Sequence, residues 1–296
     1  MIQKAAFVAI IGRPSVGKST LLNRLCAEKV AIISSVPQTT RNAIRGIVNR
    51  PQGQLVFVDT PGRHESNKKL NRKLMEVSNR SIEECDFILY VLDVSRPSGP
   101  EEEAITSRLQ TVQEKIFVAL NKTDSPHSDL KRSSAFLKEH LPALDQARCF
   151  PLSALNNTGI EALVHGLFDK AEPGEPFYPH DYYTDQELHF RIAEIIREKA
   201  INRLYDELPH AIYAEVADAE LHDDGKTLWV RAFLVTERES QKGIVVGKDG
   251  ALIKAIRLSA QKELNRIFEW KVKLDLRVKT VKDWRHSDGT LRKLIV

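Results

Sequence analysis

Cysteine is scarce: three in 296 residues, at Cys26, Cys85 and Cys149, with no close spacing among them. That excludes a disulfide framework or a cysteine zinc site and fits small core residues of a reduced, cytoplasmic protein. Long apolar runs are missing too. The longest, such as Ala5–Ile11 and Phe87–Leu92, fall far short of the ~20 residues a membrane-crossing helix needs. The opening Met1-Ile2-Gln3-Lys4 leads straight into a strand-like segment and has no secretory-signal pattern. The nine histidines are scattered, and no His/Cys metal spacing or nucleophile–base pair stands out, which argues against an enzyme that modifies a macromolecule. Internal repeats and low-complexity tracts are absent.

What is present is 42% hydrophobic and 28% charged residues, an ordinary globular composition over a length that suggests two domains. The formal charge of +4 conceals a gradient. Residues 1–180 carry a net +3 and residues 181–237 a net −7, whereas residues 238–296 hold 15 basic and 7 acidic side chains, a net +8. A basic final fifth suits a polyanion partner, although such a face can also be merely solvated.

Strand-like runs at Phe7–Ile11, Leu55–Asp59, Phe87–Asp93, Ile116–Asn121 and Cys149–Ser153 alternate with stretches long enough for a helix. This rhythm predicts an α/β domain over residues 1–170, a mostly parallel sheet with helices on both faces. Residues 171–185 hold three prolines and a glycine without periodicity and read as a linker. Residues 186–296 predict a smaller α+β domain. A helix carries Leu188, Ile192, Ile195, Ile196, Lys199, Ala200 and Leu204. Two strands, Ile212–Leu221 and Leu228–Val235, are joined at Asp223-Asp224-Gly225. A helix then spans Ala251–Ile267, and Trp270–Val278 alternates strictly between core and solvent.

Directly after the first strand stands Gly12-Arg13-Pro14-Ser15-Val16-Gly17-Lys18-Ser19, followed by Thr20. Glycines at this spacing let backbone N–H groups curl around phosphate oxygens, and the helix beginning near Lys18 turns the positive end of its dipole on the same anion. Lys18 would reach the β- and γ-phosphates and the Ser19 hydroxyl would bind Mg²⁺. Asn121-Lys122-Thr123-Asp124 closes a later strand. A carboxylate accepts only, so Asp124 matches the adjacent N1–H and 2-amino donors of guanine; adenine would leave it unpaired. Ser153-Ala154-Leu155 would bring the Ala154 N–H to guanine O6. Asp59-Thr60-Pro61-Gly62 places Asp59 to hold Mg²⁺ through water and Gly62 N–H to sense the γ-phosphate. Gln38-Thr39-Thr40-Arg41 supplies a threonine to the metal, Thr40 being preferred and Thr39 the alternative. Four motifs in this order imply a GTPase in which Lys18, Thr40 and Gly62 serve hydrolysis and both switch segments order on the γ-phosphate.

In the basic segment, Lys242-Gly243-Ile244-Val245-Val246-Gly247-Lys248-Asp249-Gly250 leads into a helix holding Ile253, Lys254 and Arg257. A GxxG loop between apolar helix positions resembles a type-II KH domain, which clamps four unpaired nucleotides across the loop. Lys248, Lys242, Lys254 and Arg257 favour phosphate, while Ile244, Val245 and Ile253 would wall the bases.

The first half resembles the translation-factor-related GTPases, particularly the bacterial Era group. The likeness continues through Tyr178-Pro179, Thr184-Asp185, Ile195-Ile196-Arg197-Glu198-Lys199 and Val281-Lys282-Asp283-Trp284-Arg285. It implies a GTP-gated assembly factor of the small (30S) ribosomal subunit that binds single-stranded 16S rRNA near its 3′ end, with peripheral contact at the inner membrane and a monomeric state. Two residues depart from the group. Arg63 stands where Ras-like enzymes carry a water-orienting glutamine and Era-like proteins a hydrophobic residue, so slow intrinsic turnover is expected. Ser15 replaces an asparagine that helps related enzymes bind potassium, and its shorter reach speaks against potassium stimulation. A C-terminal domain that docks a protein or membrane partner instead of RNA is the alternative.

Overall fold

The computed structural model describes residues 3–34, 36, 39–60, 83–222 and 225–294. Two compact units divide the chain: one holds most of the sequence up to Asp185, the other runs from Gln186 to Leu294 and takes in Ile32–Val36.

In the first unit, six strands form a sheet in the order β2-β3-β1-β4-β5-β6, with β1 at Lys4–Ile11, β2 at Ile44–Arg50, β3 at Gly53–Asp59, β4 at Phe87–Asp93, β5 at Ile116–Asn121 and β6 at Cys149–Pro151. Only the β2–β3 pair is antiparallel. The helices are α1 (Lys18–Cys26), α2 (Pro100–Leu109), α3 (Leu130–His140) and α4 (Ile160–Lys170). Strands β3 to β5 are buried along almost their whole length and mostly apolar, because helices must cover both faces of a parallel sheet. Strand β2 was outside the sequence expectation. Its Ile-Arg-Gly-Ile-Val-Asn-Arg does not alternate, and it is set by the hairpin to β3 and by α1, whose Leu22 and Cys26 press so closely on Gly46 that a Cβ there would meet them at 2.5 Å.

Residues 171–185, expected as a linker, run as a strap along the β1, β2 and β3 strands. Gly174 N–H donates to Gln3 O, Tyr178 N–H to Gln54 Oε1 and Ile47 N–H to Tyr183 O, at 2.9–3.0 Å. Asn49 Nδ2 donates to the carbonyls of His180 and Tyr182, and Phe177 packs on Phe7. At the strap's end Asp185 accepts from Arg45 at 2.8 Å and from the Tyr178 hydroxyl at 2.9 Å.

The second unit has a sheet of order β7-β8-β9, with β7 Ile212–Leu221, β8 Thr227–Thr236 and β9 Lys271–Thr280; β7 pairs antiparallel and β9 parallel to β8. Of the turn expected between β7 and β8, Asp223 and Asp224 lie outside the described residues and Gly225 has φ +63°. Helices α5 (Leu188–Ile201), α6 (Glu239–Val246), α7 (Ala251–Ile267) and α8 (Asp288–Leu294) complete the unit. Ile192, Ile196 and Ala200 of α5 and Ile256, Ala260 and Leu264 of α7 face the alternate buried residues of the strands, as 3.6- and 2-residue periods dictate. Ile32 joins this core. Beside it, Ile33 N–H donates to Glu198 Oε1 at 2.8 Å, Ser34 Oγ to Asn202 Oδ1 at 2.7 Å, and Asn202 Nδ2 to Ile33 O at 3.2 Å.

Trp284 is the largest fully buried side chain; its indole N–H donates to Ala211 O at 3.1 Å and its ring meets Tyr213 edge-on. Trp284→Ala should therefore cost the second unit about 3–5 kcal/mol. Urea unfolding followed by circular dichroism checks this, and a loss under about 1 kcal/mol would contradict the packing described.

Candidate functional site

Strand β1 has β3 on one side and β4 on the other, so the sheet reverses direction of travel at its end, where open α/β sheets form their crevice. The carboxyl ends of β1, β3, β4 and β5 place Gly12, Asp59, Asp93 and Asn121 around that crevice. The phosphate loop follows β1. Gly17, with φ +102°, begins α1, and a Cβ there would lie 2.5 Å from Asn121 Nδ2; the same amide donates to Val16 O at 2.7 Å. The loop thus closes directly on the Asn-Lys-x-Asp motif, and glycine is required at that approach.

Lys18 Nζ donates to the carbonyls of Gly12 and Arg13 at 2.8 and 2.9 Å. Burial lowers its pKa to about 8, against the opposing pull of Asp59. The Arg13 side chain does not extend over the loop. It is buried as an ion pair with Glu102 of α2 and 3.6 Å from Asp93, so only its backbone belongs to the loop.

Three oxygens expected around a metal converge. Ser19 Oγ donates to Asp59 Oδ2 at 2.7 Å, Thr40 Oγ1 to the same atom at 3.3 Å, and the two hydroxyls stand 3.1 Å apart. Among the described residues Asp59 Oδ1 is buried with no partner, and burial raises this carboxyl above its ordinary range despite Lys18, Ser19 and Thr40. A buried carboxylate with an orphaned oxygen beside two hydroxyls is a hard-oxygen set, which suits Mg²⁺. Thr60 is turned away, donating to Ile10 O at 2.9 Å. Gln38, Pro61, Gly62 and Arg63 lie outside the described residues.

Around the base motif, Ser153 Oγ donates to Asp124 Oδ1, and Arg24 of α1 donates to the carbonyls of Ala154 and Leu155 at 3.1 and 2.9 Å. The Ala154 N–H, assigned from sequence to guanine O6, here donates to Asn121 Oδ1 at 3.0 Å because the two motifs close on each other. Lys122, at φ +71°, donates to Asp93 at 2.7 Å and to Ser15 O at 3.0 Å. Burial pushes Asp93 up, but its hydrogen bonds to Lys122 and Ser95 outweigh this and hold it below the ordinary carboxylate range. Sequence reading missed Arg24, Asp93 and Glu102. A carboxylate ending an apolar strand at the crevice, as in Leu92-Asp93, was the available signal for Asp93.

In the second unit, the GxxG loop joins α6 to α7. Gly247 has φ +75°, and a Cβ there would crowd Leu252 Cβ at 2.8 Å. At Gly250 a Cβ would meet nothing within 4 Å, so a ligand backbone has room to approach. Lys248, Asp249 and Lys254 are exposed, as is Gly243, and Arg257 is half-buried. Lys242 pairs with Glu239 at 3.0 Å. Ile244 is 57% exposed and Ile253 half-buried, but Val245 is fully buried in the core and cannot wall a base. Its helical position one residue beyond Ile244 turns it inward. Leu258, 48% exposed and one turn after Lys254, is an apolar position the sequence reading did not name.

A phosphate loop at the switch point of a mostly parallel sheet, an Asn-Lys-x-Asp motif and a helix–GxxG–helix module define a P-loop GTPase joined to a KH domain. Residues 7–122 match the family of 50S ribosome-binding GTPases and residues 207–285 the KH domain. The GTPase Era of Treponema denticola is 51% identical over 287 residues, 97% of this chain and 98% of that one; the Borreliella burgdorferi GTPase Era is 42% identical over 292 residues, 99% of each. An Aquifex aeolicus Era variant bound to GDP·AlF4⁻ has a TM-score of 0.92 at 34% identity, with 98% of both chains covered. An Era complex with MgGDPNP and nucleotides 1506–1542 of 16S ribosomal RNA matches with the same TM-score, identity and coverage. The chain belongs to the GTPase Era family and hydrolyses GTP.

The depressed Lys18 value fixes a pH dependence. Phosphate favours the ammonium and raises its pKa on binding, so binding takes up a proton wherever the free site has lost one. GDP affinity should be flat below about pH 7 and fall as pH rises through about 8. Calorimetry in buffers of different ionisation enthalpy checks the uptake; affinity unchanged across that range would contradict it.

Proposed function

We propose that this protein is a GTP-gated switch that binds single-stranded 16S rRNA near its 3′ end during assembly of the small ribosomal subunit. The observation that carries this reading is the likeness over 98% of the chain to an Era bound to both MgGDPNP and a 16S rRNA segment. The open Gly250 and exposed Lys248 and Lys254 support it from the chain's own side.

In the nucleotide site, Ser19, Thr40 and Asp59 would hold Mg²⁺, which would neutralise phosphate charge. Lys18 leaves the Gly12 and Arg13 carbonyls for the β- and γ-phosphates. Gly62 N–H senses the γ-phosphate, and Gln38–Arg41 order with Thr40. Asp124, Asn121, Lys122 and Ser153–Leu155 hold guanine. Without a glutamine at position 63, the attacking water is positioned by backbone and turnover is slow. The segment 32–34, fastened to Glu198 and Asn202, lies a few residues before Thr40 in the chain; this short connection supports coupling of nucleotide state to the RNA module. The reading extends to peripheral contact with the inner membrane and to a monomer; among the described residues no helix is long and apolar enough to cross a membrane.

Lys248→Asp should abolish binding of a 3′-end 16S rRNA oligonucleotide at moderate salt, measured by fluorescence anisotropy, while wild-type affinity falls steeply with salt. Unchanged affinity, or a flat salt dependence, would instead favour a docking module for a protein or membrane partner. With Ser15 in the loop, replacing sodium by potassium should leave GTP turnover unchanged; a several-fold rise would overturn that reading of Ser15.

A further inference from the structure

Asp93 stands at the last rung of the β4–β5 ladder, directly opposite Asn121. Its side chain is almost wholly buried, yet three cations surround it: Lys122 at 2.7 Å, Arg96 at 3.4 Å and Arg13 at 3.6 Å. Oδ1 is occupied by the Ser95 N–H and hydroxyl, at 3.0 and 2.5 Å, which fixes the carboxylate's orientation and leaves Oδ2 for the cations. Lys122 then reaches on to Ser15 O in the phosphate loop at 3.0 Å. Its backbone is in the left-handed region, a conformation an L-residue holds only when its surroundings enforce it.

We propose that Asp93 is a positioning residue of the nucleotide site, acting through Lys122 to hold the base-reading loop in register with the phosphate loop. A short charge-assisted bond at Oδ2 draws the Lys122 ammonium across the crevice edge, where its second donor takes a carbonyl of the loop that wraps phosphate. Arg13 on the same carboxylate, itself paired with Glu102, fixes the start of that loop against α2. Among the described residues Asp93 and Lys122 make no hydrogen bond to Ser19, Thr40 or Asp59, whose oxygens are expected around the metal. Its effect therefore falls on GDP and GTP equally, and on affinity rather than on turnover at saturation. The inference rests on the assignment of Lys122 to the guanine site.

A double-mutant cycle on the full chain tests it, with Asp93→Asn, Lys122→Met and the pair, reading GDP and GTP-analogue affinity by stopped-flow fluorescence and saturated turnover alongside. Asp93→Asn should weaken both nucleotides about ten-fold or more, with turnover at saturation nearly unchanged. The double variant should bind no more weakly than Lys122→Met alone. Losses that add, or an Asp93→Asn variant that binds as wild type, would overturn the proposal. If Lys122→Met binds as wild type, the assignment of Lys122 falls and the proposal with it. Thermal melting without nucleotide accompanies each variant, and Asp93→Ser enters the cycle in place of Asp93→Asn should the amide not melt cooperatively.

Discussion

One buried carboxylate organises the nucleotide half. Asp59 ends an apolar strand, gathers the hydroxyls of Ser19 and Thr40 on one oxygen and keeps the other without a partner among the described residues. Such an arrangement is costly on its own, and burial raises the Asp59 pKa accordingly. A divalent cation would relieve that cost and, in the same act, fix the relative positions of α1, β3 and the segment that carries Thr40.

Two sets of contacts provide the frame. Strand ends at the sheet's switch point bring the phosphate loop, Asp59, Asp93 and Asn121 together without long loops, and Asn121, Arg24 and Lys122 tie those ends to one another by hydrogen bonds. The strap from 171 to 185 is fastened along β1, β2 and β3 through backbone bonds and through Arg45, Tyr178 and Asp185. Strand β2 lies directly after the Thr40 segment in the chain, so the strap is attached to the strand that follows the switch threonine.

The motifs were legible in sequence because each is a local pattern with a local cause. Glycines spaced for a phosphate loop, a threonine pair, and carboxylates after apolar strands require no knowledge of distant residues. The α7 helix and the alternating β9 strand were legible for the same reason. What escaped depends on partners far away in the chain. Strand β2 exists because β3 and α1 hold it, not because of its own pattern. Residues 32–34 pack with α5, more than 160 positions later. The pairing of Arg13 with Glu102 and Asp93 crosses about 80 to 90 positions, and Val245 looks like part of a binding wall until α6 turns it into the core.

These features meet in the proposed switch, in which the Asp59 cluster would report the γ-phosphate to the KH domain through Thr40 and the chain on either side of it. By reciprocity, whatever factor GTP adds to RNA affinity RNA must add to GTP affinity. The most direct test is the ratio of RNA affinities in the GTP-analogue and GDP states, for wild type and Thr40→Ala. The account predicts tighter RNA binding with the GTP analogue in wild type and a ratio near one in Thr40→Ala, with the GDP-state affinity unchanged. Equal affinities in both states of the wild type, or a ratio that survives loss of the Thr40 hydroxyl, would contradict it.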